Sequence, residues 1–114
     1  MDDLVVTQEE NSSNLLADKY ESVRSQSLKI CAPLEAEDFL IQPMEDASPP
    51  KWHLAHTTWF FETFLLVPFL KDYKIFSQPF EFLFNSYYNG VGAQYPRSKR
   101  GLLSRPTLAQ ILEY

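Results

Sequence analysis

The chain has two histidines, His53 and His56, three residues apart in a strongly apolar run. On a helix turning about 100° per residue, His56 shares a stripe with Trp52, Trp59 and Thr63, which lays its imidazole along an apolar face. Burial there disfavours the imidazolium, and a neutral ring keeps a lone pair for a metal ion. The plainer alternative is a core histidine hydrogen-bonded to a neighbour, and spacing alone leaves both open. His53 is expected to turn toward Phe60 and Phe64 instead. Glu62, six residues beyond His56 and well round the helix, is not placed to share an ion with it. It is expected to cap a neighbour's donor, to support a ligand from behind or, at its plainest, to stand solvated.

A second constellation is the basic run Arg97, Lys99, Arg100 and Arg105, with no acidic residue between Glu81 and Glu113. Guanidinium groups recognise carboxylates through two parallel hydrogen bonds, and Arg97 with Arg100 at a spacing of three suits a clamp on a small anion near the 85–92 loop. Tyr87, Tyr88 and Tyr95 stand near enough in sequence to wall such a pocket. The alternative is a solvated basic loop that balances the acidic first half, in which residues 1–50 carry 11 acids and 3 bases. No phosphate-binding loop, dinucleotide fingerprint, nucleophile elbow or zinc-protease motif is present, and Cys31 is expected to be a small core residue.

The elements that must position these groups are helical. From Asn11, Ser12 or Ser13 as cap, Leu16, Tyr20, Val23, Ser27, Ile30 and Leu34 mark one seam of an amphipathic helix that Pro33 ends. Residues 1–11 precede it as a mobile lead-in, and 12–114 form the domain. A short helical turn is expected over 35–41. Ser48 and Pro49 then open a second helix running to about Pro68, apolar nearly all round and therefore the core element. Residues 69–92 make an aromatic-rich crossover, in which Pro79 opens a short helix and Asn89-Gly90 a turn. Ser104 is expected to cap a last helix with Pro106 in its first turn, marked by Leu108, Ile111 and Leu112. That helix looks cut off at Tyr114, so the fold is expected to be all-α and incomplete.

With 114 residues, 45% hydrophobic and 22% charged, the chain suits one globular domain. Its net charge of -5 argues against a sequence-independent grip on nucleic acid and against anionic membranes. One cysteine makes no intramolecular disulfide, and neither a signal peptide nor a membrane span is visible. The expected setting is the cytoplasm.

Three blocks carry a resemblance to a known family: Ser48-Pro49-Pro50-Lys51-Trp52-His53-Leu54-Ala55-His56-Thr57-Thr58-Trp59-Phe60-Phe61-Glu62-Thr63, then Leu83-Phe84-Asn85-Ser86-Tyr87-Tyr88, then Arg100-Gly101-Leu102-Leu103-Ser104-Arg105-Pro106-Thr107. In this order they resemble the N-terminal DinB-like domain of ergothioneine-biosynthesis proteins of the EgtB type, the iron-dependent hercynylcysteine sulfoxide synthases. The resemblance spans about residues 12–114. It implies a four-helix bundle, of which the chain would hold the first two long helices, the crossover with its short helix and the start of the third.

In the family, three histidines hold a non-haem iron between the bundle and a larger second domain. The first matches His56, while His53 matches no ligand. The other two belong to an H-x-x-x-H motif on the fourth helix and have no counterpart here. Arginines that bind the carboxylates of the cysteine-containing co-substrate match Arg97 and Arg100 by spacing. The second domain, which supplies the catalytic tyrosine, has no counterpart either. The resemblance therefore implies the front part of an enzyme of oxidative C–S bond formation, inactive alone. It would contribute one Fe(II) ligand and thiol-binding arginines without stably holding the metal, and would partner with its missing part or a second copy. The competing expectations are a non-catalytic helical assembly module and a different DinB-like, metal-dependent thiol transferase.

Overall fold

A computed structural model describes residues 8–114 except 87, 89 and 91, with side chains from residue 14 onward. The regular elements of the described residues are helices, with no strand beyond an isolated Met44–Ala47 bridge, which agrees with the expected all-α class. Among the described residues, no helix is long and apolar enough to cross a membrane. The chain divides into two units, residues 1–33 and 34–114.

The first unit is helix α1, Gln8–Cys31. It starts ahead of the expected caps, so Asn11, Ser12 and Ser13 lie inside it, and so do the last residues of the expected lead-in. Glutamine and glutamate are good helix formers and acidic residues favour a helix N-terminus, which suits a start at the run Gln8-Glu9-Glu10. Leu16, Tyr20, Val23 and Ile30 of the expected seam are exposed. Cys31 is half-buried at the helix end rather than a core residue.

The second unit is built round helix α2, Pro50–Phe61. It continues through a π-helical turn, Glu62–Leu66, into a last turn α3, Val67–Phe69. Pro49 takes the N-cap position and Pro50 the first turn, one residue later than expected. Ser48 is not the cap, because its hydroxyl accepts from Arg100 at 2.9 Å. Asp72, at φ 67°, turns the chain after α3, and aspartate is among the few residues that tolerate this region. Pro79 stands at the N-cap of helix α4, Phe80–Phe84, as the sequence suggests. The expected Asn89-Gly90 turn falls partly outside the described residues.

Helix α5, Leu108–Glu113, is capped by Thr107, not by Ser104. Thr107 and Gln110 form a capping box in which Gln110 N–H donates to Thr107 Oγ1 at 3.2 Å and Thr107 N–H to Gln110 Oε1 at 2.8 Å. Pro106 therefore precedes the helix, and its carbonyl is used elsewhere. Together with the Leu103 carbonyl it accepts from the buried Lys51 ammonium, at 2.7 and 2.8 Å. Those bonds tie the first turn of α2 to residues 103–106. Burial, and secondarily Arg105, lower the Lys51 pKa.

Trp52, Ala55 and Trp59 of α2 pack with Phe80 and Phe84 of α4 and Ile111 of α5 into one core. A 3-10 turn, Ala36–Leu40, lies where a short helical turn is expected and also packs on α2; its Phe39 is buried.

Of the expectations for Glu62, capping a neighbour's donor is the one met. The residue is 4% exposed, not solvated. Oε1 accepts from the Tyr114 hydroxyl at 2.6 Å, while Oε2 accepts from the Tyr73 hydroxyl at 2.6 Å and the Phe76 amide at 3.0 Å. Its carboxylate is thus a buried junction between the π-turn, the segment after α3 and the end of α5.

Candidate functional site

Helix periodicity stacks Trp52, His56 and Trp59 on one face of α2. The His56 and Trp52 rings are parallel within 10° at 4.7 Å, and His56 lies 5.7 Å from Trp59 at 21°. The second lock comes from the end of α4, where the last carbonyls have no partner within the helix. Two consecutive ones are used: Leu83 O accepts from Trp52 Nε1 at 3.0 Å and Phe84 O meets His56 Nδ1 at 2.7 Å. A carbonyl only accepts, so Nδ1 carries the proton and Nε2 the lone pair. Burial chiefly lowers the His56 pKa; the Phe84 bond opposes this and the Arg100 charge adds to it. A neutral imidazole with Nε2 as its acceptor results.

The basic run is a helix over its first three members, Arg97, Lys99 and Arg100, and only Arg105 lies in irregular chain. Residues Arg97–Leu102 form a 3-10 helix, in which positions three apart eclipse one another, so Arg97 and Arg100 share a face. Gln42 holds this turn from outside: its Nε2 donates to Arg97 O at 2.8 Å and its Oε1 accepts from Gly101 N at 2.6 Å. The approach is so close that a Cβ on Gly101 would stand 2.7 Å from Gln42 Cβ. Gly101→Ala is therefore expected to push the turn off Gln42 and to cost about 1–3 kcal/mol, read by urea denaturation. An unchanged midpoint would show that the turn does not depend on this contact.

His56, Arg97 and Arg100 border one cavity of about 210 Å³, together with Asp46, Ser48, Trp52, His53 and Ser86. A wider, more open hollow of about 530 Å³ shares Ser86, Arg97 and Arg100 with it and is walled by Tyr95. Tyr88 packs on Trp59, Phe60 and Phe64 instead, and Tyr87 lies outside the described residues. His53 does not turn away as expected. It meets Trp52 edge-on at 5.4 Å and lines the cavity with His56. Its pKa is lowered, first by burial, then because the two neighbouring imidazoles resist being protonated together, and by the Arg100 charge. Ser48, Ser86 and Gln42 are not among the expected site residues: Ser48 stands where a helix cap is expected, Ser86 has no role beyond its place in a resembling block, and nothing local marks Gln42.

A family model described as the DinB superfamily matches residues 19–114, which is most of the chain and contains α2, α4, α5 and every cavity residue named above. The chain belongs to the DinB superfamily. No curated protein matches it in sequence.

Among the described residues of this DinB superfamily domain, no three His, Cys, Asp or Glu side chains stand together as a metal-holding group. His56 by itself suits one position in a metal shell. A ligating imidazole commonly donates its other N–H to a carbonyl or carboxylate, which fixes tautomer and ring orientation, and the Nδ1–Phe84 bond has that form. Glu62 takes no part, since its oxygens are engaged by Tyr73, Tyr114 and Phe76.

Proposed function

We propose that this DinB superfamily domain contributes one ligand and a carboxylate-binding surface to an iron site of the EgtB sulfoxide synthase type, whose reaction joins trimethylated histidine oxidatively to a cysteine-containing thiol. The observation that carries this is the tautomer lock on His56 in a cavity that also presents Arg97 and Arg100. The three blocks that resemble the family supply the remaining support.

Iron, when bound, supplies the coupling of dioxygen to C–S bond formation. The chain's own residues do the rest of what falls to them. His56 offers Nε2, the Trp52 and Trp59 rings keep water from its faces, and the guanidinium charge bordering the cavity orients the thiol substrate by its carboxylate. The remaining ligands must come from outside these residues, because one imidazole does not retain iron. The setting proposed is the cytoplasm.

In an assembly that includes the further ligands, His56→Ala is expected to abolish iron retention, measured by metal analysis after anaerobic desalting. Iron content equal to the wild type would refute the ligand assignment. A second reading, an assembly module, is favoured by the exposure of Leu15, Leu16, Val23 and Ile30 on α1, each more than half open to solvent. Light scattering on the eluting protein tests this second reading, since a module of that kind elutes as a dimer or larger and a monomer refutes it.

A further inference from the structure

We infer that Arg97 and Arg100 divide their labour: Arg100 is a positioning residue that holds Trp52 against His56, and carboxylate capture falls to Arg97. Only the second half rests on the function proposed above. Arg100 is 4% exposed, and its guanidinium carbon lies 3.6 Å from the Trp52 ring centroid. Its Nη1 donates to Ser48 Oγ at 2.9 Å, just ahead of α2. The flat face of the group is thus spent on the indole and one edge on the chain entering the helix.

Trp52 is gripped in two ways, through Nε1 by the Leu83 carbonyl and across its ring by Arg100. It passes that order to His56, stacked on it at 4.7 Å. The chain of contacts runs from Ser48 through Arg100 and Trp52 to the imidazole and ends at the Phe84 carbonyl. Arg97 is differently placed. Both arginines border both cavities, but Arg97, one turn away on the same face of the 3-10 helix, is only half-buried and is not stacked on Trp52 as Arg100 is.

A guanidinium stacks on an indole because it is planar, delocalised and weakly hydrated; a lysine ammonium keeps the charge and lacks the plane. Arg100→Lys therefore separates stacking from charge. The test uses the whole chain, with L-cysteine as the binding probe. His56 ring-proton and Trp52 indole N–H resonances are followed by NMR, alongside the thermal midpoint.

Arg100→Lys and Ser48→Ala are expected to shift both sets of resonances and the His56 tautomer balance. Arg97→Ala is expected to leave them in place while weakening cysteine binding roughly ten- to a hundredfold, the range for losing a charge-assisted pair. Unmoved His56 resonances in Arg100→Lys, with cysteine binding reduced as in Arg97→Ala, would overturn the division. Should Arg100→Lys not fold, the wild type decides: cross-relaxation between Arg100 side-chain protons and the Trp52 ring is required, and its absence refutes the inference. Failure of cysteine to bind the wild type would remove the proposed function and the role of Arg97, leaving the stacking to be judged by the resonances.

Discussion

Glu62→Leu is expected to cost about 3 kcal/mol of folding free energy, a large part of what holds a domain of this size together. A carboxylate with three donors at 2.6, 2.6 and 3.0 Å is replaced by a group that accepts nothing. Each donor left dry costs about 1–3 kcal/mol; Tyr73 and Tyr114 are only half-buried and can turn toward water, which keeps the sum below the simple total. Glu62→Gln is expected to cost about 1 kcal/mol, because its single carbonyl still accepts and a tyrosine hydroxyl can rotate to accept from the amide. Urea denaturation measures both, and a midpoint shift without a change of slope marks a stability effect. Equal costs for the two variants would mean that hydrogen bonding is not what Glu62 contributes.

The same junction makes stability depend on alkaline pH. Burial first, then the bond to Glu62 and its charge, push Tyr73 up to about 12 from an ordinary value of 10.0. Tyr114 is pushed up for the same reasons. The folded chain keeps protons that the unfolded chain releases, so this stabilisation is complete below pH 10 and is lost as pH rises through 12. Glu62→Leu is expected to flatten that decline.

Trp52→Ala is expected to cost about 3–5 kcal/mol, the usual range for deleting a buried aromatic from a packed core. Trp52 is 5% exposed, and three partners meet it from different directions: Leu83 O in its plane, Arg100 and His56 across its rings. Trp52→Phe keeps an aromatic face and loses the Nε1–Leu83 bond, worth about 1 kcal/mol. The pair of variants divides the effect, since the alanine should also release the His56 ring and the phenylalanine should not. Comparable loss in both, by denaturation, would place the contribution of Trp52 in its N–H rather than in its ring.

Much of the second unit is visible in local pattern. The Trp52, His56 and Trp59 stripe, the proline opening α4 and the stripe of α5 all follow from residues within one or two turns of each other, because helical periodicity and caps are short-range properties. The three-residue spacing of Arg97 and Arg100 suggests a clamp on one anion, while the 3-10 helix that puts them on a shared face is not legible in it. The cap of α5 went to Thr107 rather than Ser104 because Gln110 stands where a reciprocal partner must be.

What escaped the sequence is long-range. Lys51 finds carbonyls 52 and 55 residues away, Glu62 a hydroxyl 52 residues away, Arg100 a serine 52 residues away, and Gln42 an amide 59 residues away. No local pattern tells a buried carboxylate from a solvated one, since the difference lies in donors supplied by distant segments. The sequence by itself determined the helical class, the apolar face on which His56 lies and the pairing of the two arginines. The tertiary structure alone decided that the last two carbonyls of α4 meet Trp52 and His56, and that the arginines face the same cavity as the imidazole. Periodicity assigns a side chain to a face, and only packing brings two faces together.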